Sequence, residues 1–175
     1  MNQPKVHDFQ ERLKFSHDAE DLPIWEEVYS RAFPGMAGMV SHRENGFWQH
    51  AGIDRSVILM TGKQIFIDEK VRGKDYGDIL LEYISNDKTG ALGWVCKPLL
   101  ADYIAYLIPS SGMCHMLPVI QLQIAWERNK GDWRKKYKNI IAKNKGYGTH
   151  SCCVPVNKIY PAIGAGLRIN FTPFN

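Results

Sequence analysis

The chain has 175 residues, 45% of them hydrophobic and 23% charged, with a net charge of +4, the profile of one globular domain with a sizeable core. No apolar run approaches the ~20 residues of a membrane span, and Met1–Asp8 lacks the apolar stretch of a secretory leader. Four cysteines without disulfide-framework spacing suit a reducing interior, so a cytoplasmic location is expected. Residues 1–20 are polar and read as an irregular or loosely helical arm. Asp21 is placed to cap a helix, Pro23 fits its first turn, and Ile24, Val28 and Ala32 recur at helical spacing until Pro34-Gly35. Residues 36–50 read as a connection that carries Trp48, Gln49 and His50 toward the next segment. Ser56–Met60 and Gln64–Ile67 are β-rich runs around Thr61-Gly62-Lys63, the pattern of a hairpin. A third strand, Asp78–Ile84, follows the loop 73–77 and is expected beside the second. Gly90–Val95 reads as a loop or short strand and Lys97–Leu100 as a turn of helix. Asp102–Ile108 and Met113–Leu117 form another hairpin around Pro109-Ser110-Ser111-Gly112. Pro118 opens a helix with Ile120, Ile124 and Ala125 inward and Trp126 partly so. A strand near Ser151–Val156 and a short helix near Asn157–Ala162 complete one domain, 21–163, between the arm (1–20) and a flexible tail (164–175).

Charge is unevenly distributed. Between Arg128 and Lys145 lie Arg128, Lys130, Arg134, Lys135, Lys136, Lys138, Lys143 and Lys145 against the single acid Asp132, so this segment is strongly positive and the remainder slightly negative. Trp133, Tyr137 and Tyr147 are interleaved with these cations. Such a segment suits a phosphate backbone, and it equally suits a solvated helix or loop. Cys114-His115 and His150-Ser151-Cys152-Cys153 match no common zinc spacing, and adjacent cysteines on a strand face opposite ways, so buried free thiols are expected.

The most informative stretch runs from Asp54 to Lys70. Alternation along a strand puts Asp68 and Lys70 on one face and turns Glu69 away. Two acids and a lysine brought together can hold a divalent cation and position a water beside it. For Asp54 to share their face, the hairpin needs an odd loop. A loop of Thr61–Lys63 pairs Ser56 with Asp68 and Asp54 with Lys70, with Gly62 or Lys63 left-handed or a bulge near Asp54. If Arg72 then pairs with Asp78, Glu82 lies opposite Asp68, and three carboxylates meet on one face, which is unfavourable without a cation. The plainer reading pairs Glu82 only with Lys70 or Arg72.

An Asp, a hairpin's length and then Asp68-Glu69-Lys70 resembles the PD-(D/E)XK nuclease superfamily of restriction-endonuclease-like and Holliday-junction-resolvase-like enzymes, with Ile53 where the family name carries a proline. The resemblance implies an α/β fold with a restriction-endonuclease-like core, a mixed central β-sheet flanked by helices in αβββ…αβ order. It also implies Mg²⁺- or Mn²⁺-dependent hydrolysis of DNA phosphodiester bonds. Asp54, Asp68 and the backbone carbonyl of Glu69 would hold the metal, Lys70 would orient the attacking water, and Glu82 would recruit a second ion. The first helix of relatives often offers an acid, which here makes Glu27 a candidate beside its plainer role as surface charge. Arg128, Lys130, Arg134, Lys135, Lys136 and Lys138 would hold DNA. The long helix of many relatives between third and fourth strands is nearly absent, and no Gln-X-X-X-Tyr element supports the processive exonuclease branch. Endonuclease and exonuclease activity both stay open, as does oligomeric state, a homodimer included. The rival readings are a nucleic-acid-binding protein that keeps the fold without the activity, and an interaction module in which the motif is accidental.

Overall fold

The computed structural model of the protein describes residues 23–174; the expected arm and the Asp21 cap lie outside them. In chain order the elements are α1 (Ile24–Ala32), β1 (Met36–Ser41), α2 (Gly46–His50), β2 (Arg55–Leu59), β3 (Gln64–Val71), β4 (Asp78–Asn86), β5 (Ala91–Leu92), β6 (Tyr103–Ile108), β7 (Met113–Pro118), α3 (Val119–Lys136), β8 (Asn139–Lys143), β9 (Gly148–Pro155), α4 (Val156–Ile163) and β10 (Leu167–Asn170). Six strands make a mixed sheet in the order β1-β2-β3-β6-β7-β10, and four make a second in the order β5-β4-β9-β8. Only β3 and β6 run parallel; the other paired strands are antiparallel. The architecture is thus mixed α/β, a mixed sheet flanked by helices. No helix among the described residues is long and apolar enough to cross a membrane.

Side-chain alternation divides the core in two. On one face of the larger sheet, Ile65 and Ile67 of β3 and Ala105 and Leu107 of β6 pack against the α1 stripe Trp25, Val28, Tyr29 and Ala32. Fully burying each large apolar side chain contributes roughly 1.5–3 kcal/mol, so this stripe, rather than helix propensity, holds α1 in place. On the other face, Ile104, Tyr106 and Ile108 of β6 meet Ile79 and Leu81 of β4, Leu122 and Trp126 of α3 and Ile159 of α4. This second face also carries Asp68 and Lys70, so any chemistry there lies between the two sheets.

Several elements depart from the sequence expectation. β4 does not pair with β3, because both edges of β3 are taken by β2 and β6; the Arg72 amide N–H itself bonds to Leu107 O at 2.9 Å. Arg72 still meets Asp78, through an ion pair between side chains. β1 lies where a connection was expected, and β8 emerges from the basic segment. Residues 97–100 form no helical turn. Ile120 and Ile124 face solvent, while Val119, Leu122, Ala125, Trp126 and Trp133 turn inward. The expected tail contributes β10, which pairs Leu167–Asn170 with Met116–Met113 of β7; Ile169 of this strand and Phe171 just after it are buried.

Candidate active site

The β2–β3 hairpin decides whether the acids can meet. Its register pairs Arg55 with Ile67, Ser56 with Phe66, Val57 with Ile65 and Ile58 with Gln64. The Leu59 amide N–H bonds to Lys63 O at 2.9 Å, closing an odd connection Met60–Gly62, and Gly62 takes the left-handed φ of 81°. The expected parity and the left-handed Gly62 are observed, with the pairing shifted by two residues. The paired register ends at Arg55 and Ile67, and the Asp54 amide N–H bonds to Ile67 O at 2.8 Å; this leaves Asp54 beside Asp68 rather than paired with Lys70. A two-residue shift preserves the face, so Asp54, Asp68 and Lys70 all point into the space between the sheets.

Asp68 is buried, at 4% exposure, and Lys70 forms an ion pair with it. The Lys70 ammonium also donates to Glu69 O at 3.4 Å. Burial pushes the Asp68 carboxyl up to about 6; Lys70 opposes that rise, while Asp54 adds to it through its charge and a hydrogen bond the two acids can share. Burial pulls the Lys70 ammonium down, yet Asp68 and Asp54 together outweigh it and leave its pKa above the usual lysine value. Asp54 is fixed from the other side, since its Oδ2 accepts the Glu69 amide N–H at 2.7 Å.

Glu82 arrives from the opposite sheet. It does not pair across a ladder with Asp68 as the hairpin expectation had it; β4 pairs with β5 and β9 instead. Its carboxyl is raised by burial and partly brought back by Lys70 and Lys97, so it faces the same space. A cavity of about 330 Å³ lies there, with Lys70 on one wall and Glu82 and Lys97 on the other. The donors are hard oxygens that repel one another, with a lysine ammonium already resting between Asp68 and the Glu69 carbonyl. Hard oxygens of this kind are the ligands that magnesium and manganese take. Among the described residues, no group of three or more His, Cys, Asp and Glu is arranged to hold a metal; the pair Asp54–Asp68 would be completed by a main-chain oxygen.

The residue between the motif positions carries a second cluster that the sequence reading missed. Glu69 projects to the α1 side, where its side chain is wholly buried. It accepts from Tyr29 Oη at 2.6 Å and from Arg55 Nε at 2.6 Å, and it pairs with Arg43. Burial, then the Glu69 charge, raises the Tyr29 phenol well above its ordinary value. The signal was present: alternation placed Glu69 among Ile65 and Ile67, and a carboxylate there must find cations. Arg55 stands on the same face of the neighbouring strand.

Other expected residues fall elsewhere. Glu27 lies on α1, on the far side of the sheet from Asp68, and pairs with Arg31 at 2.7 Å on the surface; it is not a ligand to this site. The eight cations of the basic segment are all exposed. Trp133 among them is buried against Trp126, with ring centroids 6.3 Å apart, and so offers no stacking surface. Arg134 lies 4.5 Å over Tyr83, the residue at which the β4–β9 register shifts between Glu82 and Ile84. Lys130, Arg134 and Lys135 line a separate depression with Tyr83 and Asn139 that shares no lining residue with the cavity at Lys70 and Glu82. Cys114, Cys152 and Cys153 are buried free thiols and Cys96 is half-buried. His115 bonds to Tyr160 Oη at 3.0 Å. No protein-family model, curated protein or solved structure matches the chain.

Proposed function

We propose that the protein is a metal-dependent nuclease that hydrolyses DNA phosphodiester bonds on a restriction-endonuclease-like core. The observation that carries this reading is the meeting of Asp54 with Asp68, with Lys70 on the same face and Glu82 across a shared cavity. The meander β1–β2–β3, preceded by α1 and followed by β6 parallel to β3, supports the fold part of the reading.

Asp54, Asp68 and the Glu69 carbonyl would hold Mg²⁺ or Mn²⁺, which when bound acidifies a water and neutralises charge on the scissile phosphate. The chain's own groups do the rest. The Glu69 amide aims the Asp54 carboxylate, and the buried bonds to the Glu69 side chain tie β3 to Arg55 of β2 and Tyr29 of α1. Lys70, freed from Asp68, orients the attacking water and stabilises the pentavalent phosphate by charge. Glu82 accepts a hydrogen bond from the same water or recruits a second cation. Water adds hydroxide to phosphorus, one P–O ester bond breaks, and the leaving oxygen takes the proton. The exposed cations Arg128, Lys130, Arg134, Lys135, Lys136 and Lys138 hold DNA phosphates outside the cavity.

The deciding experiment incubates the protein with single-stranded, linear duplex, circular and branched DNA, with Mg²⁺ or with EDTA, beside Asp68→Ala. Metal-dependent cutting that Asp68→Ala abolishes while DNA binding persists is the expected result. Cutting that survives the substitution refutes the site. Binding without cutting by the unaltered protein favours a non-catalytic nucleic-acid-binding role.

A further inference from the structure

The cavity beside the acids is lined by a second lysine, Lys97, that the motif does not include. We infer that it is a subsite for one unpaired nucleotide, so that the DNA this protein cuts is single-stranded or frayed at the scissile bond. The inference rests on the proposed nuclease reading and names its substrate class.

Size is the first argument. At about 330 Å³, the cavity lies at the low end of the roughly 300–1,000 Å³ typical of small-ligand pockets. That is room for about one base with its sugar and phosphate and too little for a base pair. Enzymes that act on a nucleotide in such a pocket take it from single strands or extrude it from the stack.

The lining is the second. Lys70 and Tyr106 come from the larger sheet; Glu82 and its ladder partner Ser151 come from the smaller one, with Trp94 and Lys97 from the rim segment. Trp94 and Tyr106 are themselves buried and close the walls by packing, so what the lining offers is polar: two lysine ammoniums, the Glu82 carboxylate and the Ser151 hydroxyl, groups that suit a sugar and its phosphates. Lys97 lies close enough to Glu82 to oppose the rise in its pKa. Two cations thus belong to the lining, Lys70 beside the acids and Lys97 on the rim segment, and both suit a phosphate.

Rigidity is the third. The rim segment 93–97 is tied to β4 by Gly93 N–H to Tyr83 O and Val95 N–H to Glu82 O, both at 3.1 Å. The Lys97 N–H bonds to Gly93 O at 3.0 Å, and Gln123 Nε2 donates to Lys97 O at 2.8 Å. The pocket is therefore preformed, which lowers the ordering cost of binding.

Fluorescence anisotropy with a short labelled thymidine strand and a blunt duplex of equal length, in EDTA so that nothing is cut, reads the preference. The unaltered protein should bind the single strand at least ~10-fold more tightly than the duplex. Lys97→Ala and Leu92→Trp, the latter filling the cavity from its exposed mouth, should each remove most of that preference while leaving duplex binding unchanged. Equal affinity for strand and duplex, or a preference that survives both substitutions, overturns the inference. An RNA strand that outcompetes the DNA strand overturns the assignment to DNA. Repeating the comparison with Mg²⁺ separates the two proposals. Cutting without strand preference removes the subsite and leaves the nuclease. A preference lost in both variants, with no cutting, retains the subsite and removes the nuclease.

Discussion

Replacing Glu69 with glutamine perturbs the protein where charge is most deeply enclosed. The Glu69 carboxylate has no exposed surface, and its two guanidinium partners keep 9% and 15%. Removing one partner from a buried ion pair typically costs about 3–5 kcal/mol, because the other charge stays desolvated. Glutamine retains one acceptor for Tyr29 or Arg55 but turns an amide donor toward an arginine. Arg43 can gain some hydration, so the low end, ~3 kcal/mol, applies. At roughly 2–4 °C per kcal/mol for a chain of this size, the midpoint of thermal unfolding should fall by ~6–12 °C. Urea unfolding followed by tryptophan fluorescence measures the loss directly, and Tyr29→Phe, which removes one hydrogen bond, should cost only ~1 kcal/mol. A loss below about 1 kcal/mol for Glu69→Gln would refute the claim that this cluster clamps β3.

Gly93 has its Cβ position 2.3 Å from Glu82 O, so Gly93→Ala must push the rim off β4; a loss of ~3 kcal/mol in urea unfolding is expected, near the upper range for overpacking. Asp68 titrates near 6 when folded and near 3.9 when unfolded. Its folded pKa is raised, so its contribution to stability is greatest below about pH 4 and is lost as pH rises through about 6. In EDTA, the stability of the unaltered protein relative to Asp68→Asn should therefore rise as pH falls across that window, whereas a constant difference contradicts the burial argument. The same proton must leave before a cation binds, so Mn²⁺ affinity in calorimetry should weaken below pH ~6 and hold steady above it. In the basic segment, Trp133→Ala should destabilise by ~3–5 kcal/mol as a core truncation. Lys135→Ala with Lys136→Ala should leave stability unchanged and lower the salt dependence of DNA binding by about one phosphate contact each.

What the sequence disclosed followed from local rules. The turn Pro109-Ser110-Ser111-Gly112 marked β6–β7, and Gly112 indeed takes a left-handed φ of 63°. Parity along β2 and β3 brought Asp54, Asp68 and Lys70 to one face, although their pairing slid by two residues because Met60 joined the turn. Long-range choices were hidden. Nothing local says that β6 will occupy the free edge of β3 and send β4 to another sheet. Glycine within Met36–Ser41 and the polar flanks of Asn139–Lys143 masked β1 and β8. Along α3, apolar residues on two faces left the inward one undecided, and Trp126 with Trp133 won over Ile120 and Ile124. Glu82 reached the site from a different sheet than expected, and Lys97 went unnoticed because its place depends on that crossing.

Crystals soaked in Mn²⁺, examined by anomalous scattering at the manganese edge, test the central claim most directly. The account predicts a peak between the Asp54 and Asp68 carboxylates, within reach of the Glu69 carbonyl, with the Lys70 ammonium displaced from Asp68. The peak should vanish in Asp68→Asn. Saturating manganese that leaves Lys70 seated on Asp68, with no peak between the two acids, would contradict it.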